Sequence, residues 1–152
     1  MRDENCIQRK SEISEHAIKD CIFCKIIEGK IPTNKIYENE HIFAFLDINP
    51  VSKGHTLVVP KEHYEKLEDV PDELLKEIMK AVKHIGKAVM KATNSHAYNL
   101  GVNNGRDAGQ VVMHAHFHIM PRQKGDGLEL WQGKPYADGE INKVKDSIVK
   151  FI

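Results

Sequence analysis

The chain has 152 residues, 41% hydrophobic and 29% charged, the length and balance of one globular domain with a single core. Its 22 basic residues offset its 22 acidic ones, leaving a formal net charge of zero, so bulk charge favours neither a nucleic acid nor a membrane surface as partner. No apolar run nears the roughly 20 residues of a membrane span, the start has no signal-peptide pattern, and three cysteines, Cys6, Cys21 and Cys24, are an odd count for a disulfide scaffold. A cytoplasmic location is therefore expected.

Residues 1–18 read as a polar extension with little to bury, and 19–152 as one domain without linker, repeat or low-complexity tract. "CIFCKIIEGKIP" predicts a short helix or turn, stopped at Gly29 and followed by Pro32. "KIYENE" and "HIFAFLDI" predict a hairpin that turns at Asn39, and "HTLVVP" a third strand ending at Pro60. The period then changes. Leu74, Leu75, Ile78, Val82, Ile85 and Val89 form one helical stripe behind Pro71, with Asp72 and Glu73 at the positive end of the dipole. Gly86 interrupts it as either a weak spot or a point of close packing. "AYNLGVNN" predicts a fourth strand, "GRDAGQ" a loop, "MHAHFHIM" a fifth strand over 113–120, and the tail a short helix from about Ile141. The expected class is α+β: a roughly five-stranded antiparallel sheet with one long helix and short helices.

The fifth strand carries the chemistry. His114, His116 and His118 alternate with Ala115, Phe117 and Ile119. On a strand this puts the apolar set under the helix and the imidazoles on the opposite face. Three readings follow: solvated histidines, a catalytic metal site, or acid–base and nucleophilic work on a phosphate. The preceding "NNGRDAGQ" favours phosphate, because Gly105 and Gly109 let backbone N–H groups approach an anion. Cys21 and Cys24, spaced C-x-x-C, are either a redox pair or half of a metal site.

"HAHFHIM", with "NNGRDAGQ" before it, "HIMPRQKGDG" across its end, and the segment from "CIFCKIIEGKIP" to "VVPKEH", resembles the histidine triad (HIT) family, in its bacterial-type, Hint-like branch. The resemblance covers roughly residues 20 to 128. It implies a homodimeric, purine-nucleotide-binding hydrolase, for adenosine or guanosine, that cleaves at the α-phosphate of a nucleoside phosphoramidate or polyphosphate. His116 matches the nucleophile, which needs its second ring nitrogen to donate to a backbone carbonyl. His118 matches the phosphate contact, and His55 the fourth active-site histidine. Asp47 matches the acceptor for the ribose hydroxyls, a role suited to two acceptor oxygens without a donor. Ile48, Phe45 and Phe23 resemble the apolar wall of the base pocket. Asn103 and Gly109 match positions near ribose and phosphate, and Gln110 one on the leaving-group side. Many Hint-like members follow this glutamine with a serine that assists the leaving group; here it is Val111. The resemblance also completes a structural zinc site, with Cys21, Cys24, His63 and His114 as ligands. Two alternatives to the hydrolase stand beside it: a nucleotide-binding regulator with vestigial turnover, and a metal-dependent hydrolase that uses the histidines as ligands.

Overall fold

The computed structural model describes residues 20–152; the expected extension at 1–18 lies outside them. In chain order the elements are α1 (Ile22–Ile27), β1 (Lys35–Glu38), β2 (Ile42–Leu46), β3 (Thr56–Pro60), α2 (Asp72–Thr93), β4 (Ala97–Gly101), β5 (Phe117–Arg122) and α3 (Glu140–Val149). Single 3-10 turns lie at Leu67–Asp69 and Arg106–Ala108. The sheet is antiparallel, in the order β1-β2-β3-β5-β4. Among the described residues no helix is long and apolar enough to cross a membrane.

Local chemistry sets the element ends. The Cys21 thiol caps α1 by accepting the Cys24 N–H at 3.5 Å, and Gly29 takes the left-handed φ of 75° beyond the helix. The Asn39 side chain accepts from the N–H groups of His41 (3.0 Å) and Ile42 (2.7 Å) and so turns the hairpin. Asn94, at φ 53°, caps the far end of α2.

β3 is buried along its whole length because both faces of the sheet are covered. On one face Val58 joins Ile42, Ala44, Phe117 and Ile119 against Ile78, Val82 and Ile85 of α2. Each such side chain contributes about 1.5–3 kcal/mol by leaving water. On the other face Leu57 and Val59 join Phe43, Phe45 and, from the α1 segment, Cys21, Phe23 and Cys24.

The histidine segment departs from the sequence expectation. Regular pairing starts at Phe117 and runs to Arg122, rather than spanning 113–120. The register Thr56↔Ile119, Leu57↔His118, Val58↔Phe117 would bring Pro60 opposite Ala115 if it continued. Pro60 has no N–H to give. Its carbonyl instead accepts from His114 Nε2 at 2.8 Å, while the Ala115 N–H bonds the Tyr64 carbonyl at 2.6 Å. The alternation survives, since Ala115, Phe117 and Ile119 all lie in the α2 core. β4 likewise stops at Gly101, short of the expected 97–104. The tail helix forms where expected, from Glu140, with none of its residues buried.

Two glycines hold these layers close. A Cβ on Gly86 would lie 2.9 Å from Cζ of Tyr98, so this is the close-packing alternative. Gly54 has φ +90°, and a Cβ there would come within 2.6 Å of Thr93 Cγ2. Gly54→Ala combines a left-handed backbone with overpacking directly before His55, and is expected to lower stability by about 2–4 kcal/mol in urea unfolding. A change below about 0.5 kcal/mol would contradict the packing described here.

Candidate active site and metal centre

β3, β5 and the 110–116 segment gather four histidines in one row. His116 Nδ1 lies 2.6 Å from its neighbour's carbonyl, that of His114. A carbonyl only accepts, so Nδ1 carries the proton and Nε2 keeps a free lone pair. Hydrogen bonds fix the other tautomers in the same way. The Val51 N–H points to His55 Nδ1 at 3.3 Å, so His55 Nε2 holds the proton and donates it to His118 Nδ1 at 2.9 Å. That leaves His118 Nε2–H buried, with no partner among the described residues. A lone pair on His116 and an unspent donor on His118 thus stand side by side, their ring centroids 4.8 Å apart.

Both line a cavity of about 390 Å³. Phe23, Phe45, Asp47, Ile48, Asn103, Gly109 and Val111, all singled out in the sequence, line it too. Phe23 stands edge-on to the His116 ring at 5.2 Å and to Phe45 at 5.5 Å. Ile48, 81% exposed, and Val111, 86% exposed, are bare apolar groups on its lining. One Asp47 oxygen accepts the Asn49 N–H at 2.8 Å; the other lies 3.6 Å from His55 Nδ1. Leu57, Ile26, Val112 and the Ile31–Thr33 segment also contribute to the lining. Sequence reasoning did not single these out; their only signal was apolar character beside the C-x-x-C helix and inside β3. A more open groove of about 470 Å³ between the β1–β2 turn and α2 is lined by Tyr37, Glu40, His41, Glu77 and Lys80. It offers far less apolar surface to a base than the first cavity does.

Gln110 does not line the cavity. Its buried amide accepts from the Gly105 N–H (2.8 Å) and donates to the carbonyls of Glu65 (2.7 Å) and Val112 (3.1 Å). Asn104, unremarked in the sequence, adds a second tie. It accepts from the Leu67 N–H at 2.9 Å and donates to the Glu68 carboxylate at 2.7 and 2.8 Å. These two residues pin the glycine loop to the segment that follows His63.

His63 belongs to a second cluster, with Cys21, Cys24 and His114, whose ligand atoms all lie within 4.8 Å of one another. His114 Nδ1 is 3.5 Å from Cys21 Sγ and 3.6 Å from Cys24 Sγ; His63 Nδ1 is 3.4 Å from Cys24 Sγ. A tetrahedral zinc with thiolate and imidazole ligands has N···S edges of about 3.6 Å. His114 also holds the matching tautomer, with Nε2–H on Pro60 and its Nδ1 lone pair facing the sulfurs. Burial, then the neighbouring Cys21, push the Cys24 thiol up to about 12, so a thiolate there requires a compensating cation. The residues fit zinc.

Burial sets the titration of the row. It pushes His114 and His118 down to about 4 and lowers His116, His55 and His63 by amounts offset in part by His116's bond to the His114 carbonyl and by Asp47 or Glu65. These imidazoles are neutral at pH 7 in the fold. The unfolded chain takes up protons first as pH falls below about 6.5, so it binds more protons than the native state between there and about pH 4. Native stability is expected to be flat between about pH 7 and 8, and to fall steadily from pH 6.5 towards 4. Urea midpoints measured across that range check this; a midpoint unchanged at pH 5 would contradict it.

Residues 28–125 match the HIT domain family. An adenosine 5'-monophosphoramidase of Saccharomyces cerevisiae is 47% identical over 125 residues, covering 82% of this chain and 75% of the yeast protein. A crystal structure of a HIT family member from Bacillus subtilis superposes with a TM-score of 0.79 at 44% identity, covering 88% and 97% of the two chains. A zinc-bound histidine triad protein from Mycobacterium smegmatis gives 0.71 at 32% identity, covering 88% and 96%. With its alternating histidines leading into β5 and most of its length matched, the chain belongs to the HIT domain family.

Proposed function

We propose that the protein is a nucleotide hydrolase that cleaves at the α-phosphate of a nucleoside phosphoramidate or polyphosphate and releases the nucleoside monophosphate. The observation that carries this reading is the His116 tautomer, Nδ1–H on a backbone carbonyl with the Nε2 lone pair on the cavity. A neutral imidazole is both a good nucleophile and a good leaving group near pH 7. His116 Nε2 attacks the α-phosphorus, the leaving group departs, and water then cleaves the nucleotidyl–imidazole bond. His118 Nε2–H binds a phosphate oxygen and offsets charge in the transition state. His55 is a positioning residue that holds His118 in the donor tautomer. Asp47 accepts from the ribose hydroxyls, and Phe23, Phe45 and Ile48 enclose a purine, with Asn103 and Gly109 near the ribose and phosphate. The yeast relative's name supports adenosine as the base. Gln110 acts through the loop it holds rather than by touching the leaving group.

Zinc is assigned to Cys21, Cys24, His63 and His114, where it supplies charge for two thiolates and cross-links the α1 segment to the histidine strand. The zinc-bound relative supports this. A homodimer is assigned to the β4 edge and α2, where Leu100 of the edge strand is 45% exposed. The reaction itself needs no metal. One observation favours the metal-dependent alternative: ligand atoms of Asp47, His55 and His118 also lie within 4.8 Å of one another. Against it, the facing nitrogens of His55 and His118 are spent on each other.

One comparison separates these readings. His116→Ala, assayed by adenosine monophosphate release from an adenosine phosphoramidate and a dinucleoside polyphosphate, is expected to lose at least about 1,000-fold in kcat with unchanged zinc content. Chelation of the wild type is expected to leave turnover intact well below its Tm while lowering stability. Against zinc at 1,000-fold over its Kd that loss is about 4 kcal/mol. Full activity in His116→Ala, or immediate loss on chelation restored by other divalent ions, would overturn the assignment. Tight monophosphate binding without turnover on any substrate would favour the regulator.

A further inference from the structure

Cys21 and Cys24 can do more than hold a cation. They lie one helical turn apart, with the Cys21 thiol accepting the Cys24 N–H at the start of α1, and their sulfurs are within 4.8 Å of each other. At this spacing a small movement suffices to join them as a disulfide. The two sulfurs are not equally enclosed. Cys24 Sγ has His63 Nδ1 at 3.4 Å and His114 Nδ1 at 3.6 Å; Cys21 Sγ has His114 Nδ1 at 3.5 Å. Cys21 also lines a second cavity of about 390 Å³, together with Asp20, Glu65, Arg106 and Met113; Cys24 does not. Neither cysteine lines the nucleotide cavity. A small molecule can therefore approach Cys21 without passing through the nucleotide cavity. With one cation and two carboxylates on its lining, the second cavity does not repel a neutral oxidant.

We propose that Cys21 is a site of oxidation by hydrogen peroxide, with Cys24 as the residue that resolves it, so that the metal cross-link opens under oxidising conditions. The inference rests on the zinc assignment above. As ligands both sulfurs are thiolates, the form that attacks a peroxide. The Cys21 sulfur forms a bond to one peroxide oxygen, the O–O bond breaks, and the other oxygen leaves as hydroxide. The Cys24 thiolate then attacks the Cys21 sulfur. The S–S bond forms, the S–O bond breaks, and a second hydroxide leaves. Two protons from solvent turn the hydroxides into water. The two sulfurs together lose two electrons, and the peroxide gains them. A disulfide carries no charge, so His63 and His114 remain as two neutral ligands, too few to retain the cation. The α1 segment then loses its cross-link to the histidine strand until the disulfide is reduced.

The test treats the zinc-loaded wild type, and Cys6→Ser to remove the third thiol, with hydrogen peroxide and a chromophoric chelator. Zinc release is expected at least about tenfold faster than loss to the same chelator without peroxide. The peptide that carries Cys21 and Cys24 is expected two hydrogens lighter, and Tm is expected to fall to that of the chelated protein. A dithiol reductant with added zinc is expected to restore both. Dimedone added with the peroxide is expected to label Cys21 and not Cys24. Zinc released without a Cys21–Cys24 disulfide, or dimedone on Cys24 alone, would overturn the proposal. So would zinc that stays bound in excess peroxide, most plainly if Met113, on the same cavity, becomes the sulfoxide. That result leaves the zinc assignment standing, whereas a chain that takes up no zinc would overturn the assignment and this proposal together.

Discussion

The hydrogen bond from His116 Nδ1 to the carbonyl of His114 organises the site. It spans two residues and ties one imidazole to the backbone of the residue that carries another, with the opposite nitrogen free. One ring donates from Nδ1, which frees Nε2 for the cavity. The other donates from Nε2 to Pro60, which frees Nδ1 for the sulfurs. Residues two apart on extended chain would present the same face. They diverge in chemistry because the backbone between them leaves the ladder before Phe117. Pro60, unable to donate, leaves its carbonyl to a side chain. The end of a strand therefore helps decide which nitrogen of each histidine is free.

The rest of the fold keeps that short segment in place. On the helix side, Ala115, Phe117 and Ile119 are locked against α2, where close packing leaves little room for rotation. On the other side, Phe23 presses edge-on against both His114 and His116. The glycine loop is held by Gln110 and Asn104 to the turn after His63. The candidate metal ligands come from three stretches, two of which, the α1 segment and the histidine segment, also frame the cavity. A cation there would stiffen the active site without touching the substrate, as a supporting shell does around many catalytic centres.

Much of this was legible from residue order. The α2 stripe, the Asn39 turn and the Gly29 stop are local devices, and each sits where its chemistry demands. The inward set Ala115, Phe117 and Ile119 followed from period two alone. The departures are tertiary. Nothing within 113–120 marks Phe117 as the first paired residue, because that limit is set by Pro60 on another strand. Gln110 has the appearance of a site residue by position, yet its amide is consumed by backbone groups that only folding brings near. Asn104 was invisible for the same reason, since its partners, Leu67 and Glu68, lie 37 and 36 residues away. Gly86 remained ambiguous until Tyr98 was placed against it. The histidine roles came from family resemblance, whereas their tautomers come from hydrogen-bond partners that no spacing encodes.

The proposed chemistry requires His116 Nε2 to form a bond to phosphorus. The direct measurement is rapid acid-free quenching during turnover of an adenylyl substrate, followed by mass spectrometry of the peptide that carries the three histidines. An adenylyl group on His116 that forms and decays at rates consistent with turnover is expected. Steady turnover with no protein-bound nucleotide, or with the nucleotide on a different residue, would contradict it.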